Sequence, residues 1–183
     1  MLVTMPNSWM HVQWNTYGSW LPGDPRGFRN RDHRIHSSGT YKAPPPLGEH
    51  AGLHMYAATR LVRNPIELSE ELRERVLLAV IQKADMLGCP IEALAVARQH
   101  VHALLFVDDA RVDGEVGKLK RHSSHAIRDA IPGTGWSAEC HPEHVEGQEY
   151  WLNVVRYIMD HRDEGASVWR RPRDARLKAI GKG

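Results

Sequence analysis

The sequence predicts an α+β fold, a small antiparallel sheet with helices packed on one of its faces. Three observations predict it. Apolar and polar residues alternate over Trp9–Tyr17 with the period of a half-buried strand. Two apolar runs, Ile91–Ala97 and His100–Val107, are separated only by a short turn at Arg98-Gln99, as in a hairpin. Three other segments repeat apolar residues at helical spacing. With 183 residues, 42% of them apolar and 25% charged, wholesale disorder is excluded and a single domain over 1–183 is expected.

The elements follow in order. Met10, Val12, Trp14 and Thr16 form one face of the first strand, with His11, Gln13 and Asn15 on the other. From about 21 to 55 the pattern collapses into Pro, Gly, Arg and His, which predicts a long loop. Ser69 is an N-cap for a helix with Glu70 and Glu71 in its first turn, apolar positions at Leu72, Val76, Val80, Ala84 and Leu87, and Gly88 as its stop. The hairpin comes next. A second helix is expected over about 112–131, with Val116, Leu119, Ser123, Ile127 and Ala130 inward and Pro132-Gly133 ending it. A short extended piece around Trp136–Cys140 leads to a third helix, striped by Trp151, Val154, Val155 and Ile158. A basic tail is expected from about 166 to 183. This order suits a ferredoxin-like, RRM-like sheet.

No apolar run approaches the ~18 residues that span a bilayer, and no signal-peptide core is visible, so no membrane partner is expected. Cys89 and Cys140 are too few for a disulfide framework and point to a cytoplasmic location. The net charge of +2 names no partner by itself.

Twelve histidines are unusual, and three of them suggest chemistry. His100 and His102 lie at i and i+2 of a strand, so both imidazoles project from the same face as a half-site for a divalent metal. Such a pair alone is also common on an exposed sheet. On the third helix Tyr157 and His161 are one turn apart, beside the apolar stripe. Packing that helix on the sheet would bring a phenol and a third imidazole to the first two.

This ordered set resembles the Y1 (HUH) transposases, the IS200/IS605-like enzymes and their REP-associated tyrosine transposase relatives. The similarity rests on His100-Val101-His102, on Tyr157 and His161 about fifty residues later, and on the run from Trp14 to Gly27 with Tyr17-Gly18-Ser19-Trp20 and Pro22-Gly23-Asp24-Pro25. It spans roughly Trp9 to Arg162. The resemblance implies cleavage and rejoining of single-stranded DNA through a 5′-phosphotyrosine. Tyr157 matches the nucleophile, and His100 and His102 match the metal ligands. His161 falls where the family usually has Asn or Gln, and a three-nitrogen site leans toward Mn²⁺ over Mg²⁺. Some members of the family exchange this helix in dimers, so a homodimer is compatible with the resemblance.

A DNA partner should leave a charge footprint. Lys118, Lys120, Arg121 and Arg128 follow one another with no acidic residue between Gly117 and Arg128, and His122 and His125 lie among them. The loop adds Arg26, Arg29, Arg31 and Arg34. The tail adds Arg170, Arg171, Arg173, Arg176, Lys178 and Lys182. Trp20, Phe28 and Trp169 are candidate stacking platforms for bases. Single-stranded or hairpin DNA is therefore the expected partner. A binding module without cleavage, or another HUH nickase of the replication-initiator type, are the competing readings. RRM-type binders carry paired aromatics where this strand carries His100 and His102, which favours the metal site.

Overall fold

The structure, a computed structural model, describes residues 7–28, 46 and 48–172. The chain forms two compact units: residues up to Asn15 with those from Glu67 onward, and Thr16–Ile66 between them.

The larger unit is built on a sheet of β1 (Asn7–Asn15), β2 (Ile91–Val96), β3 (His100–Asp108), β4 (His141–His144) and β5 (Ser167–Arg170), in the order β4-β1-β3-β2-β5 and antiparallel throughout. The helices beside it are α2 (Glu70–Leu87), α3 (Val112–Ala126) and α4 (Gln148–Asp160). The α+β antiparallel sheet expected from the sequence is thus present. Helices cover both of its faces rather than one. Trp14 meets Trp136 edge-on at 6.1 Å, and Trp136 Nε1 donates to Ser123 Oγ of α3 at 3.0 Å. On the other face Ala93, Ala95 and Leu104 pack with Val154, Val155 and Ile158 of α4. β2 is consequently buried at all six positions, which is why it reads as a continuous apolar run instead of an alternation.

Local chemistry explains the ends of the elements. The Ser69 side chain accepts from the Leu72 amide, and Gly88 closes α2 at φ 66°, a conformation that suits glycine. α3 ends at Ala126, earlier than Pro132 implies. Ile127 turns into the core there, and Arg75 of α2 donates to the Ala126 carbonyl at 2.6 Å. Of the extended piece expected around Trp136–Cys140, Trp136 forms an isolated β-bridge, and the strand itself, β4, lies just beyond it. Pro142 is tolerated in β4 because this is an edge strand. The opening of the expected basic tail is β5, whose Val168 packs against the α4 core.

In the second unit the two ends are pinned together: Ile66 N donates to the Tyr17 carbonyl at 2.9 Å, and Thr16 Oγ1 donates to the Ile66 carbonyl at 2.7 Å. The end of the run read as loop is a helix, α1 (Ala51–Thr59), with no buried residue and therefore no apolar stripe to reveal it. At Gly23 the chain passes so close to α1 that a Cβ would lie 2.4 Å from the His54 amide nitrogen. Among the described residues no helix is long and apolar enough to cross a membrane.

Candidate active site

The β1–β3 register builds the floor of the site. Gln13 faces His102 and Asn15 faces His100, while His11 faces Leu104, so all of these side chains leave the same side of the sheet. That is the side covered by α4. Burial of Val154, Val155 and Ile158, worth about 1.5–3 kcal/mol for each side chain, seats the helix there. Tyr157 and His161 are thereby placed over the strand histidines. The His161 ring centroid lies 4.6 Å from that of His102 and 5.5 Å from that of His100. Tyr157 stands edge-on to His102 at 5.3 Å and to His161 at 4.8 Å. All four side chains singled out in the sequence meet in one place.

The donor set fits a divalent cation. One nitrogen each of His100, His102 and His161 can be chosen so that all lie within 4.8 Å of one another. His161 Nδ1 donates to the Tyr157 carbonyl at 2.9 Å, which leaves Nε2 as its ligand atom. Burial, followed by the neighbouring His161, His100 and His11 rings, pushes the pKa of His102 down to about 2. His102 therefore offers a neutral imidazole with a free lone pair for a metal. Tyr157 is 49% exposed, so a polymeric substrate can reach it.

Neutral burial has a consequence for stability. Below pH 6.5 an unfolded chain protonates His102 and the folded chain does not, so this residue favours unfolding as the pH falls. In metal-free protein the effect at pH 5 is about 2 kcal/mol relative to pH 7. Urea unfolding of wild type and His102→Gln at the two pH values checks this. Wild type should lose about 2 kcal/mol more than the variant, and equal losses would count against a neutral, buried His102.

His11 is the site residue that sequence reasoning missed. Its Nε2 lies 3.1 Å from His102 Nδ1, the two rings stack at 5.3 Å, and it also meets Tyr157 edge-on at 5.9 Å. Its pKa is lowered chiefly by burial, an effect that Glu143 opposes and His161 reinforces. Glu143 is the cross-strand partner of His11 on β4, and it accepts the Tyr150 hydroxyl at 2.6 Å. Alternation alone put His11 on the correct face. Only the strand register brings it to His102.

The basic residues separate into engaged and outward-facing groups. Lys120, Arg121, His125 and Arg128 line a groove of about 540 Å³ together with Gly133, Thr134, Trp136, Ser137 and Ala138. Arg121 and Arg128 are exposed there. Lys120 donates to the Ala138 and Glu139 carbonyls at 3.0 and 3.1 Å, which ties the groove wall to α3. Lys118 is outside the groove and pairs with the buried Glu115 at 3.1 Å. Arg26 belongs to the Thr16–Ile66 unit, where Asp24 and the Ser19 carbonyl hold its guanidinium against the Trp20 ring. Phe28 is buried against His50 and offers no face for stacking, whereas Trp20 is exposed and Trp169 half-buried. Arg29, Arg31, Arg34, Arg173, Arg176, Lys178 and Lys182 lie outside the described residues.

No family model matches the sequence, and no curated protein matches it. Among solved structures, the chain is similar to a REP-associated tyrosine transposase bound to a REP hairpin. The match has a TM-score of 0.50 and 11% identity, and covers 90% of this chain and 72% of the other. The two share a fold. At that identity the likeness carries the architecture, and the chemistry has to be argued from the side chains.

Proposed function

We propose that this protein cleaves and rejoins single-stranded DNA through a covalent phosphotyrosine at Tyr157, with a divalent metal ion, Mg²⁺ or Mn²⁺, held by His100, His102 and His161. The observation that carries the reading is the Tyr157 ring standing edge-on to two of three imidazoles whose nitrogens converge within 4.8 Å. A cation bound there supplies electrostatic stabilisation of the charge that develops on the phosphoryl oxygens. His100, His102 and His161 contribute neutral nitrogen ligands, a set that favours Mn²⁺ over Mg²⁺.

Tyr157 supplies the nucleophile. Its phenol oxygen forms a bond to phosphorus, the bond from phosphorus to the 3′ oxygen breaks, and the phenol proton is balanced by the one the 3′-OH takes up. The ester keeps the bond energy, and attack by a 3′-OH on the phosphotyrosine rejoins strands with no other energy source. The half-exposed position of Tyr157 leaves room for a strand, and the sheet beneath holds its ring. The similar transposase structure contains a REP hairpin, which supports hairpin or single-stranded DNA as the partner here. Lys118, Lys120, Arg121, Arg128 and Arg26 remain the proposed phosphate-binding residues, and Arg121 and Arg128 are the most available of them.

The reaction is tested with one single-stranded hairpin substrate labelled at either end, incubated with Mn²⁺ and then denatured. Label placed 3′ to the break should migrate with the protein, while label placed 5′ to it is released as a free fragment. Cleavage with no protein-linked label would mean hydrolysis, and binding with no cleavage would mean a binding module. The groove has its own test. Arg121→Gln and Arg128→Gln should each weaken binding to every sequence alike. Each should also flatten the slope of log K against log salt by about 0.7, the share of one phosphate left without its cation. Unchanged slopes would place the strand elsewhere.

A further inference from the structure

His11 Nε2 lies 3.1 Å from His102 Nδ1, within hydrogen-bond distance of a proposed metal ligand. The geometry points to His11 as a positioning residue: it accepts the Nδ1–H of His102 and so holds His102 in the tautomer and ring plane that present Nε2 to a divalent cation. This inference rests on the metal centre proposed above.

The two buried histidines of the cluster are held by the same device. His161 Nδ1 can only be a donor, because its partner at 2.9 Å is the Tyr157 carbonyl oxygen, and its Nε2 is left bare. At His102 the partner of Nδ1 is another imidazole, His11 Nε2, at 3.1 Å with the rings 24° from parallel. One of these two nitrogens carries the proton. If it is His102 Nδ1, His102 Nε2 is a lone pair, as a metal ligand requires. His102 is 3% exposed, so water cannot replace His11 as the acceptor. Without an acceptor, the proton moves to Nε2 and blocks the position of the ligand atom. The surroundings of His11 support its role as the acceptor. Its ring is stacked on that of His102, and Glu143, anchored by the Tyr150 hydroxyl, sits across from it on β4. His11 also stands edge-on to Tyr157, so the same ring flanks the proposed nucleophile.

Two substitutions separate the hydrogen bond from the packing. His11→Phe keeps a flat ring for stacking and removes the acceptor. His11→Gln gives up the ring and restores an acceptor through its amide oxygen. Long-range ¹H–¹⁵N spectra of the full chain without metal should show His102 as the Nδ1–H tautomer in wild type and His11→Gln. In His11→Phe it should shift toward Nε2–H. Calorimetric titration with Mn²⁺ alone should show a loss of roughly 10- to 100-fold for His11→Phe, as for other supporting partners of metal-ligating histidines, with His11→Gln close to wild type. If wild type binds Mn²⁺ and His11→Phe binds it equally well, the role of His11 is overturned and the metal centre stands. The same holds if wild-type His102 carries its proton on Nε2, or if His11→Gln binds as poorly as His11→Phe. Wild type that takes up no Mn²⁺ overturns the metal centre itself, and the inference with it.

Discussion

Tyr157→Phe is expected to abolish strand cleavage, with a fall on the order of 10⁴-fold or more, because a ring without its oxygen cannot form the ester. The change removes one atom from a half-exposed ring, so unfolding free energy should stay within about 0.5 kcal/mol of wild type. DNA affinity should also be retained, since the phosphate-binding side chains are other residues. Tyr150→Phe is the matched control. Tyr150 is on the same helix, but its hydroxyl donates to Glu143, and that bond to a carboxylate pushes its pKa up to about 12. A phenol held in this way is a poor nucleophile, so Tyr150→Phe should keep most of the cleavage activity. Gel quantification of cleaved strand for the two variants side by side checks the pair.

His102→Ala should have the second largest effect. It removes the most deeply buried of the strand ligands and leaves His100 and His161 as a two-nitrogen site. Mn²⁺ affinity should fall by more than the roughly 100-fold that the loss of a supporting residue costs. Cleavage should fall with it, and a chelator added to wild type should reproduce the loss until Mn²⁺ is restored. Cleavage that persists in His102→Ala and in the presence of chelator would remove the metal from the reaction. Thermal unfolding without metal distinguishes a lost ligand from a lost fold, because only the latter lowers the melting temperature enough to depopulate the native state at assay temperature.

The parts of the molecule that depend on local periodicity were legible in the sequence. β1, β2, β3 and α2 follow from spacing and from the Ser69 and Gly88 caps. His100 with His102, and Tyr157 with His161, follow from i, i+2 on a strand and i, i+4 on a helix. Features that depend on distant partners were not legible. β5 is four residues long and owes its existence to pairing with β2, more than seventy positions earlier in the chain. α1 buries nothing and so has no stripe. His11 needs the β1–β3 register before its neighbour can be known. Charge patterning showed which residues are basic but not which are already occupied. The capture of Lys120 by the Ala138 and Glu139 carbonyls is a tertiary fact, whereas Lys118 with Glu115 and Arg26 with Asp24 are local pairs that charge counting alone passed over. Two conspicuous features of the sequence, the Trp14–Gly27 run and the basic stretch on α3, therefore serve the fold at some positions and face solvent at others.

The most direct measurement is peptide mapping by mass spectrometry of the protein–DNA adduct after denaturation and nuclease trimming. The expected result is a nucleotide mass attached through phosphate to the peptide that contains Tyr157, formed in wild type with Mn²⁺ and absent from Tyr157→Phe. An adduct on Tyr150 or any other residue, or the same adduct in Tyr157→Phe, would contradict the assignment of Tyr157 as the nucleophile.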